Sequence, residues 1–293
     1  MGQLVSAKVV DTARGPIEYA VRGTGKPVLV IHGSPGGIDA AEGMARFLPE
    51  DRFRSILLSR PGYLGTELAG RLTSDDQADL YAALLDELEI ERVGVLAWSG
   101  GGPSAFRFVA AHPDRATSLV AIACLSGRWV NPTPDFSTRL LQTTRFGDWL
   151  MKKLVARQPS KVIEGVISSE SSLSGTEFDD HVKYIESDET ARRFVLDMAL
   201  TASQTGAHKP GWDNDCVQFG KIESLGLETV RVPTLIVQGS ADSDVEPEHS
   251  VRAHELIPDS QLFTLDRGTH LAFYVHPNSA AVQAEAIEYL SRP

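Results

Sequence analysis

Short apolar runs alternate with helical patterns along most of this chain, and this alternation constrains its fold more than any other feature. The runs at 28–31, 55–58 and 93–97 are apolar almost throughout, as expected for strands buried on both faces of a sheet. Residues 76–90 carry leucines at helical spacing, and a second helix is predicted at 103–111. Strands that alternate with helices predict βαβ units around a mostly parallel sheet with right-handed crossovers.

The same pattern extends toward both ends of the chain. Apolar runs on either side of Arg14-Gly15-Pro16 predict a leading hairpin, and Ser74 or Asp75 is placed to cap the helix at 76–90. The other predicted elements are strands at 118–124, 234–237 and 261–265 and helices at 248–257 and 279–290. The fold class is therefore α/β, with helices flanking a central sheet.

Residues 127–228 break this alternation. Asn131-Pro132-Thr133-Pro134 predicts a stiff, non-helical linker, and helical patterns follow it. A stretch of about a hundred residues is too long for a plain loop. The sequence thus predicts a mainly helical insertion after the sixth core strand. We divide the chain into a core, residues 1–130 and 225–293, and an inserted cap, residues 131–224.

The composition excludes several classes of function. The chain has 293 residues and a net charge of −11, from 28 basic and 39 acidic residues, which disfavours DNA or RNA as the main partner. No apolar run approaches the roughly 18 residues of a spanning helix, and residues 1–10 carry no secretory signal. Cys124 and Cys216 are too few for a disulfide framework and form no CxxC zinc pair. We expect a cytoplasmic protein that acts without membrane, nucleic acid or metal.

The most specific motif is the segment at 95–103, VLAWSGGGP, in which an apolar strand ends at a serine and glycines lead into a helix. A serine on a sharp strand-to-helix turn needs neighbours without bulk, and Pro103 suits the first turn of the helix. The helix N-terminus favours a developing negative charge beside Ser99. This pattern predicts a nucleophile elbow, with Ala97 in place of its first glycine. A phosphate-binding loop is disfavoured because no Gly-Lys-Ser/Thr ending follows.

A second loop, His32-Gly33-Ser34-Pro35-Gly36, follows an early strand, where it could supply a backbone N–H to an oxyanion hole. With this loop, the serine elbow and the segment RPGYLG at 60–65, the chain resembles the α/β-hydrolase fold superfamily, and within it the serine hydrolases with a Ser-Asp-His triad and a helical cap. The resemblance covers 1–130 and 230–293 well. It implies Ser99 as nucleophile, the backbone N–H groups of Ser34 and Gly100 as oxyanion donors, and a structural role for His32.

The resemblance also implies the base and the acid, since the chain order in this fold is serine, then Asp or Glu, then histidine. His270, in the motif Gly-Thr-His-Leu-Ala-Phe after the last predicted strand, is the expected base. The segment at 125–130 has no carboxylate, so the acid should follow the next strand. Asp242 matches the family spacing, Asp244 is the alternative, and Asp266 is too close in sequence to His270.

These residues predict a hydrolase that cleaves a small to medium carboxylic ester or lactone, without a cofactor, as a monomer or homodimer acting on a small molecule. A carbon–carbon bond hydrolase or a perhydrolase would keep the same triad. A small-ligand receptor on this fold, with little turnover, is the alternative of another class. Trp98 is a candidate for substrate contact, and the segment at 211–215 predicts a polar, aromatic turn in the cap.

Overall fold

The computed structural model describes residues 6–130 and 142–293, and the strands in this part of the chain form one eight-stranded sheet. The strands are β1 Lys8–Thr12, β2 Gly15–Gly23, β3 Lys26–Ile31, β4 Phe53–Leu58, β5 Val93–Trp98, β6 Ala116–Ile122, β7 Thr234–Gly239 and β8 Ser260–Leu265. Their order across the sheet is β1-β2-β4-β3-β5-β6-β7-β8.

Strands β3 to β8 run parallel, while β1 and β2 join the edge in antiparallel pairs. Strand β5 lies between β3 and β6, and Ala97 pairs with Ile31 on one side and Ala121 on the other. Because parallel strands share one carboxyl edge, the loops after β3, β5, β7 and β8 open on the same side of the sheet. The structure confirms the predicted mostly parallel α/β fold.

Helices flank the sheet, and those predicted at 76–90, 103–111, 248–257 and 279–290 lie within a few residues of their expected positions. The helices are α1 Ile38–Ala45, α2 Ser74–Glu87, α3 Gly102–Ala111, α4 Arg145–Arg157, α5 Pro159–Glu170, α6 Gly175–Ser187, α7 Glu189–Thr201, α8 Lys209–Phe219, α9 Pro247–Leu256, α10 Ala272–Val275 and α11 Ser279–Leu290. The N-cap of α2 is Thr73, not Ser74 or Asp75 as expected. The Thr73 hydroxyl accepts from the N–H of Asp76, and the Asp76 carboxylate accepts from the N–H of Thr73 in a capping box.

Between β6 and β7 the described residues form the helices α4 to α8. An isolated bridge, Ser171 with Asp242, is the one β pairing recorded for the described part of this stretch. The linker at 131–134 falls outside the described residues. None of the helices described has the length and apolarity that crossing a membrane requires.

The inserted helices pack directly on the core. Apolar side chains of α5, α6 and α7, including Val162, Ile185 and Phe194, belong to the same buried cluster as one face of the sheet. Helix α8 begins against the turn after β4, where the Gly211 N–H donates to the Gly62 carbonyl at 2.8 Å. A Cβ on Gly62, whose φ is +87°, would lie 2.5 Å from that Gly211 nitrogen, so glycine is required for this approach.

Candidate active site

Ser99 stands at the carboxyl end of β5, at the start of the turn Ser99–Gly101 that leads into α3. Its φ is +54°, a left-handed conformation that a non-glycine residue adopts only under strain. The glycines that follow Ser99 have no space for a side chain. A Cβ on Gly101, for example, would lie 2.5 Å from the His32 carbonyl oxygen. Sheet and helix thus hold Ser99 on a sharp corner, as the sequence motif predicts.

His270 and Asp242 lie on the loops after β8 and β7, and the structure brings them together. His270 Nδ1 is 2.8 Å from Asp242 Oδ2, and both side chains are buried. Asp242 Oδ1 accepts from the backbone N–H groups of Asp244 and Val245, at 2.9 and 3.0 Å. Oδ2 also accepts from Gln238 Nε2 at 2.9 Å. Four hydrogen bonds therefore fix this carboxylate beside the imidazole.

The second candidate acid lies on the other side of the imidazole. Asp244 Oδ2 is 3.4 Å from His270 Nε2, and 44% of the Asp244 side chain is exposed. Burial lowers the pKa of His270, but the carboxylates of Asp242 and Asp244 outweigh it and bring that pKa to about 10. Asp266, the third acid considered, points away, with 85% of its side chain exposed and an ion pair to Arg267.

The loop after β3 lies against the nucleophile. A Cβ on Gly33 would be 3.1 Å from Ser99 Cβ, and one on Gly100 would be 2.3 Å from Ser34 Oγ. The backbone N–H of Ser34 has no acceptor among the described residues. Gly100 lies at a helix N-terminus, where N–H groups lack intrahelical partners. The backbone N–H groups of Ser34 and Gly100, on segments that lie against Ser99, therefore stay the candidate oxyanion donors.

His32 is buried below this loop and bonded through both ring nitrogens. Nε2 accepts from the Arg60 backbone N–H at 2.9 Å, and Nδ1 donates to the Gly33 carbonyl at 2.7 Å. Burial, followed by the charge of Arg60, lowers its pKa well below the ordinary value. A neutral imidazole with both nitrogens in use supports the loop and is in no position to act as a base.

A buried ion pair beneath the loop was not foreseen from the sequence. Arg60, 1% exposed, pairs with Asp215 of α8, 3% exposed. Arg60 also donates to the Gly100 carbonyl and to Ser34 Oγ, both at 2.8 Å. Asp215 accepts from the Ser34 and Tyr63 hydroxyls, both at 2.6 Å. The pair therefore fastens an inserted helix to the two residues that carry the candidate oxyanion donors.

The prediction of a polar turn at 211–215 was wrong, because these residues lie inside α8. Gly211, Asp215 and Phe219 share the buried face of this helix at a spacing of four residues. That spacing is the signal that could have revealed Asp215 as a buried carboxylate in need of a partner.

Comparison with known proteins identifies the family. The model of the alpha/beta hydrolase fold family matches residues 26–277. The chain belongs to the α/β-hydrolase fold family. An alpha/beta hydrolase fold protein from Nakamurella multipartita has 45% identity and a TM-score of 0.96, with 98% of this chain and 99% of that one covered.

Two curated relatives match over nearly their whole length. The uncharacterized hydrolase YcgS of Bacillus subtilis is 27% identical, with 88% of this chain and 89% of the relative covered. A 2-hydroxy-6-oxononadienedioate/2-hydroxy-6-oxononatrienedioate hydrolase of Cupriavidus pinatubonensis is 25% identical, with 92% and 91% covered. The protein is thus a hydrolase of the α/β-hydrolase fold.

Aromatic rings line the candidate site of this α/β hydrolase. Trp98 stacks on His270 with ring centroids 5.4 Å apart and an interplanar angle of 26°. Phe194 of α7 stacks on Tyr274 at 4.1 Å, and the Tyr274 ring meets Trp98 edge-on at 5.9 Å. Trp98 Nε1 and Tyr274 Oη, both buried, have no hydrogen-bond partner among the described residues. Contact of Trp98 with substrate stays a prediction, but its contact with His270 is observed.

The end of α5 joins the two loops that carry His270 and Asp242. The Glu170 carbonyl accepts from the His270 N–H at 3.3 Å, and Ser172 N–H donates to the Ala241 carbonyl at 2.9 Å. Burial raises the pKa of the Glu170 carboxyl to about 8, and its Oε2 is buried with no partner in the described part of the chain. An inserted helix of this α/β hydrolase therefore places a carboxyl group next to the imidazole.

Proposed function

We propose that this hydrolase cleaves a small to medium carboxylic ester or lactone through an acyl-enzyme on Ser99. The observation that carries the proposal is the buried Asp242–His270 pair, on loops that open at the same edge of the sheet as the strained Ser99. A serine hydroxyl is a weak nucleophile that needs an adjacent base, and that base needs an orienting carboxylate. Ser99, His270 and Asp242 supply these roles, in the chain order of this fold.

In the proposed mechanism, neutral His270 takes the Ser99 proton while Ser99 Oγ attacks the carbonyl carbon of the substrate. Asp242 holds the ring by its Nδ1–H, so that Nε2 faces the reaction. The backbone N–H groups of Ser34 and Gly100 stabilise the oxyanion. His270 then gives its proton to the leaving alcohol, and water, activated by the same imidazole, hydrolyses the acyl-enzyme.

We propose that residues 131–224 form a cap over this site. Helices α5 and α7 contribute Glu170 and Phe194 to the surroundings of His270, which supports this division of the chain. Ser99 and His270 are only 6% and 4% exposed, so a substrate reaches them after the cap has moved. The rings of Trp98, Phe194 and Tyr274 favour an acyl group with apolar surface.

A carbon–carbon bond hydrolase is the second candidate. The Cupriavidus relative is named as a hydrolase of a 2-hydroxy-6-oxo dienedioate, a substrate whose carbon–carbon bond lies next to a ketone. The same triad and oxyanion donors could serve that reaction. An ester remains the first choice of substrate, because Ser99, His270, Asp242 and the two backbone donors are sufficient for its hydrolysis in the proposed mechanism.

A fluorophosphonate probe tests the nucleophile. We expect one adduct per chain on the Ser99 peptide, located by mass spectrometry, and no labelling of the Ser99→Ala variant. The Ser169→Ala variant is the matched control, because it makes the same change at an exposed serine whose hydroxyl donates to the Val166 carbonyl within α5. Equal labelling of Ser99→Ala and wild type would overturn the assignment.

A substrate panel tests the reaction class. It should contain p-nitrophenyl esters of graded acyl length, lactones and vinylogous diketones. Multiple turnovers on esters or lactones support the proposal, and turnover confined to the diketones supports the carbon–carbon hydrolase. A single acyl transfer without turnover, with thermal stabilisation by the ligand, would instead indicate a receptor.

A further inference from the structure

The His270 imidazole lies between two aspartates of one short loop. Asp242 Oδ2 is 2.8 Å from Nδ1, and Asp244 Oδ2 is 3.4 Å from Nε2. In the proposed mechanism, Nε2 must be the unprotonated acceptor of the Ser99 proton. Ser99 Oγ forms no hydrogen bond with any described residue, His270 included. The nitrogen that should serve the nucleophile is thus engaged by a carboxylate.

The two aspartates differ in how they are held. Asp242 is fully buried and tied by four hydrogen bonds. The Asp244 side chain is 44% exposed, and its carboxylate accepts no hydrogen bond from a described residue. Asp244 contacts Asp242 through its backbone N–H, which donates to Asp242 Oδ1. Its carboxylate can therefore leave His270 for water without disturbing the buried acid.

The other groups around His270 also favour its charged form. Glu170, on α5, is the third carboxyl group that acts on the ring, once it ionises above a pKa of about 8. Trp98, on β5, presents an uncharged aromatic face. An aromatic face attracts a cation stacked on it. With carboxylates at both ring nitrogens, the doubly protonated imidazolium is the form that pairs with both.

We propose that Asp244 is a positioning residue that holds His270 as an imidazolium away from Ser99 in the resting enzyme, and so sets the pH above which the enzyme becomes active. This proposal rests on the proposed function of His270 as general base. It assigns Asp244 a role distinct from that of Asp242, which orients the ring for catalysis. Loss of the Asp244 charge should then release the base at lower pH.

The test is the pH dependence of kcat/KM for Asp244→Asn, which removes the charge and keeps the backbone N–H to Asp242. We expect the acid limb to move to lower pH by about one to three units, the effect of removing one nearby opposite charge. At a pH below the acid limb, kcat/KM of the variant should exceed that of wild type by roughly tenfold for each pH unit by which the limb moves. Glu246→Gln is the matched control, because it makes the same charge change on an exposed residue of the same segment.

Imidazole NMR provides a readout that does not depend on turnover. The His270 signals, assigned by comparison with His270→Gln, should titrate at lower pH in Asp244→Asn than in wild type. Unchanged titration and an unchanged acid limb would overturn the proposal. A loss of kcat by orders of magnitude at every pH would also overturn it, since Asp244 would then be the triad acid. If the titration moves but no ester, lactone or diketone is turned over, the proposed function fails, while the part of the proposal in which Asp244 holds His270 as an imidazolium stands.

Discussion

Asp242 Oδ2 lies 2.8 Å from His270 Nδ1, although 28 residues separate the two in the chain. The contact arises because β7 and β8 are parallel neighbours, so the loops that follow them meet at one edge. We predict that Asp242→Asn lowers kcat on the order of 10⁴-fold, because an amide beside Nδ1 favours the wrong tautomer. Steady-state kinetics near the pH optimum measures this loss.

The matched comparison for Asp242→Asn is the same substitution at Asp244. Circular dichroism and thermal unfolding should show that both variants fold. If Asp242→Asn keeps the wild-type kcat on a substrate of the wild-type enzyme, Asp242 is not the orienting acid. Its contact with His270 Nδ1 would then only stabilise the fold.

Gly100 contacts Ser34 so closely that an added methyl group has no room. A Cβ at position 100 would lie 2.3 Å from Ser34 Oγ, and the bonds to Arg60 and Asp215 hold that oxygen in place. We predict that Gly100→Ala displaces the loop of the proposed oxyanion donor Ser34 and lowers kcat by about 10²- to 10³-fold, the usual cost of one lost oxyanion donor. The loss should appear in kcat rather than in KM, because the donors act on the transition state.

Gly165→Ala is the control for this substitution. Gly165 lies within α5, and a Cβ there meets nothing within 4 Å. It should leave kcat unchanged and stabilise the fold by roughly 0.5–1 kcal/mol, as replacement of an exposed helical glycine does. A kcat loss of equal size in both variants would show that position 100 has no special relation to the site.

The sheet could be predicted from the sequence because it depends on local patterns. The triad stays a prediction, and its acid and base were taken from the family resemblance. Continuous apolar runs identify buried strands, and glycines around Ser99 identify a corner where larger residues would collide with His32. The contacts of the inserted helices could not be predicted in this way. Asp215 meets Arg60 across 155 positions, and the ring nitrogen that Asp244 faces depends on a loop of a few residues. The spacing within α8 marks Asp215 as buried, but no pattern in the sequence identifies Arg60 as its partner or places Asp244 at His270 Nε2.

The Arg60–Asp215 pair leads to a prediction about stability. Asp215→Ala leaves the Arg60 guanidinium buried without its counter-charge, in a site where it is 1% exposed. We predict a loss of about 3–5 kcal/mol in the free energy of unfolding, as when one partner of a buried pair is removed. Urea denaturation, followed by tryptophan fluorescence and by circular dichroism, measures it.

The double variant Arg60→Met with Asp215→Leu is the control for that loss. It removes both charges and fills the site with apolar groups, so it should recover most of the stability. Its kcat should nevertheless be lower than that of wild type, because Ser34 Oγ loses both of its side-chain partners. A single Asp215→Ala variant within about 1 kcal/mol of wild type, the range of a surface ion pair, would show that the pair is not isolated from water.

The raised pKa of His270 also leads to a pH dependence of stability. The folded-state pKa of about 10 lies above the ordinary value of 6.5, so the folded protein holds this proton more tightly than the unfolded chain. The resulting stabilisation is fully present below pH 6.5 and is lost as the pH rises through about 10. Between these values one proton changes the free energy of unfolding by up to about 1.4 kcal/mol per pH unit.

Urea unfolding at intervals from pH 6 to pH 10, a range set by the two pKa values of His270, measures this dependence. The difference between wild type and His270→Gln isolates the imidazole, because every other titrating group is common to the two proteins. We expect the stability of wild type to fall more steeply than that of the variant as the pH rises. The pH dependence of stability of Asp244→Asn should lie between those of wild type and His270→Gln. In this variant His270 keeps its contact with Asp242 and loses the charge near Nε2. Parallel curves for wild type and His270→Gln would mean that folding leaves the pKa of His270 at its ordinary value of 6.5, and that burial balances the two carboxylates.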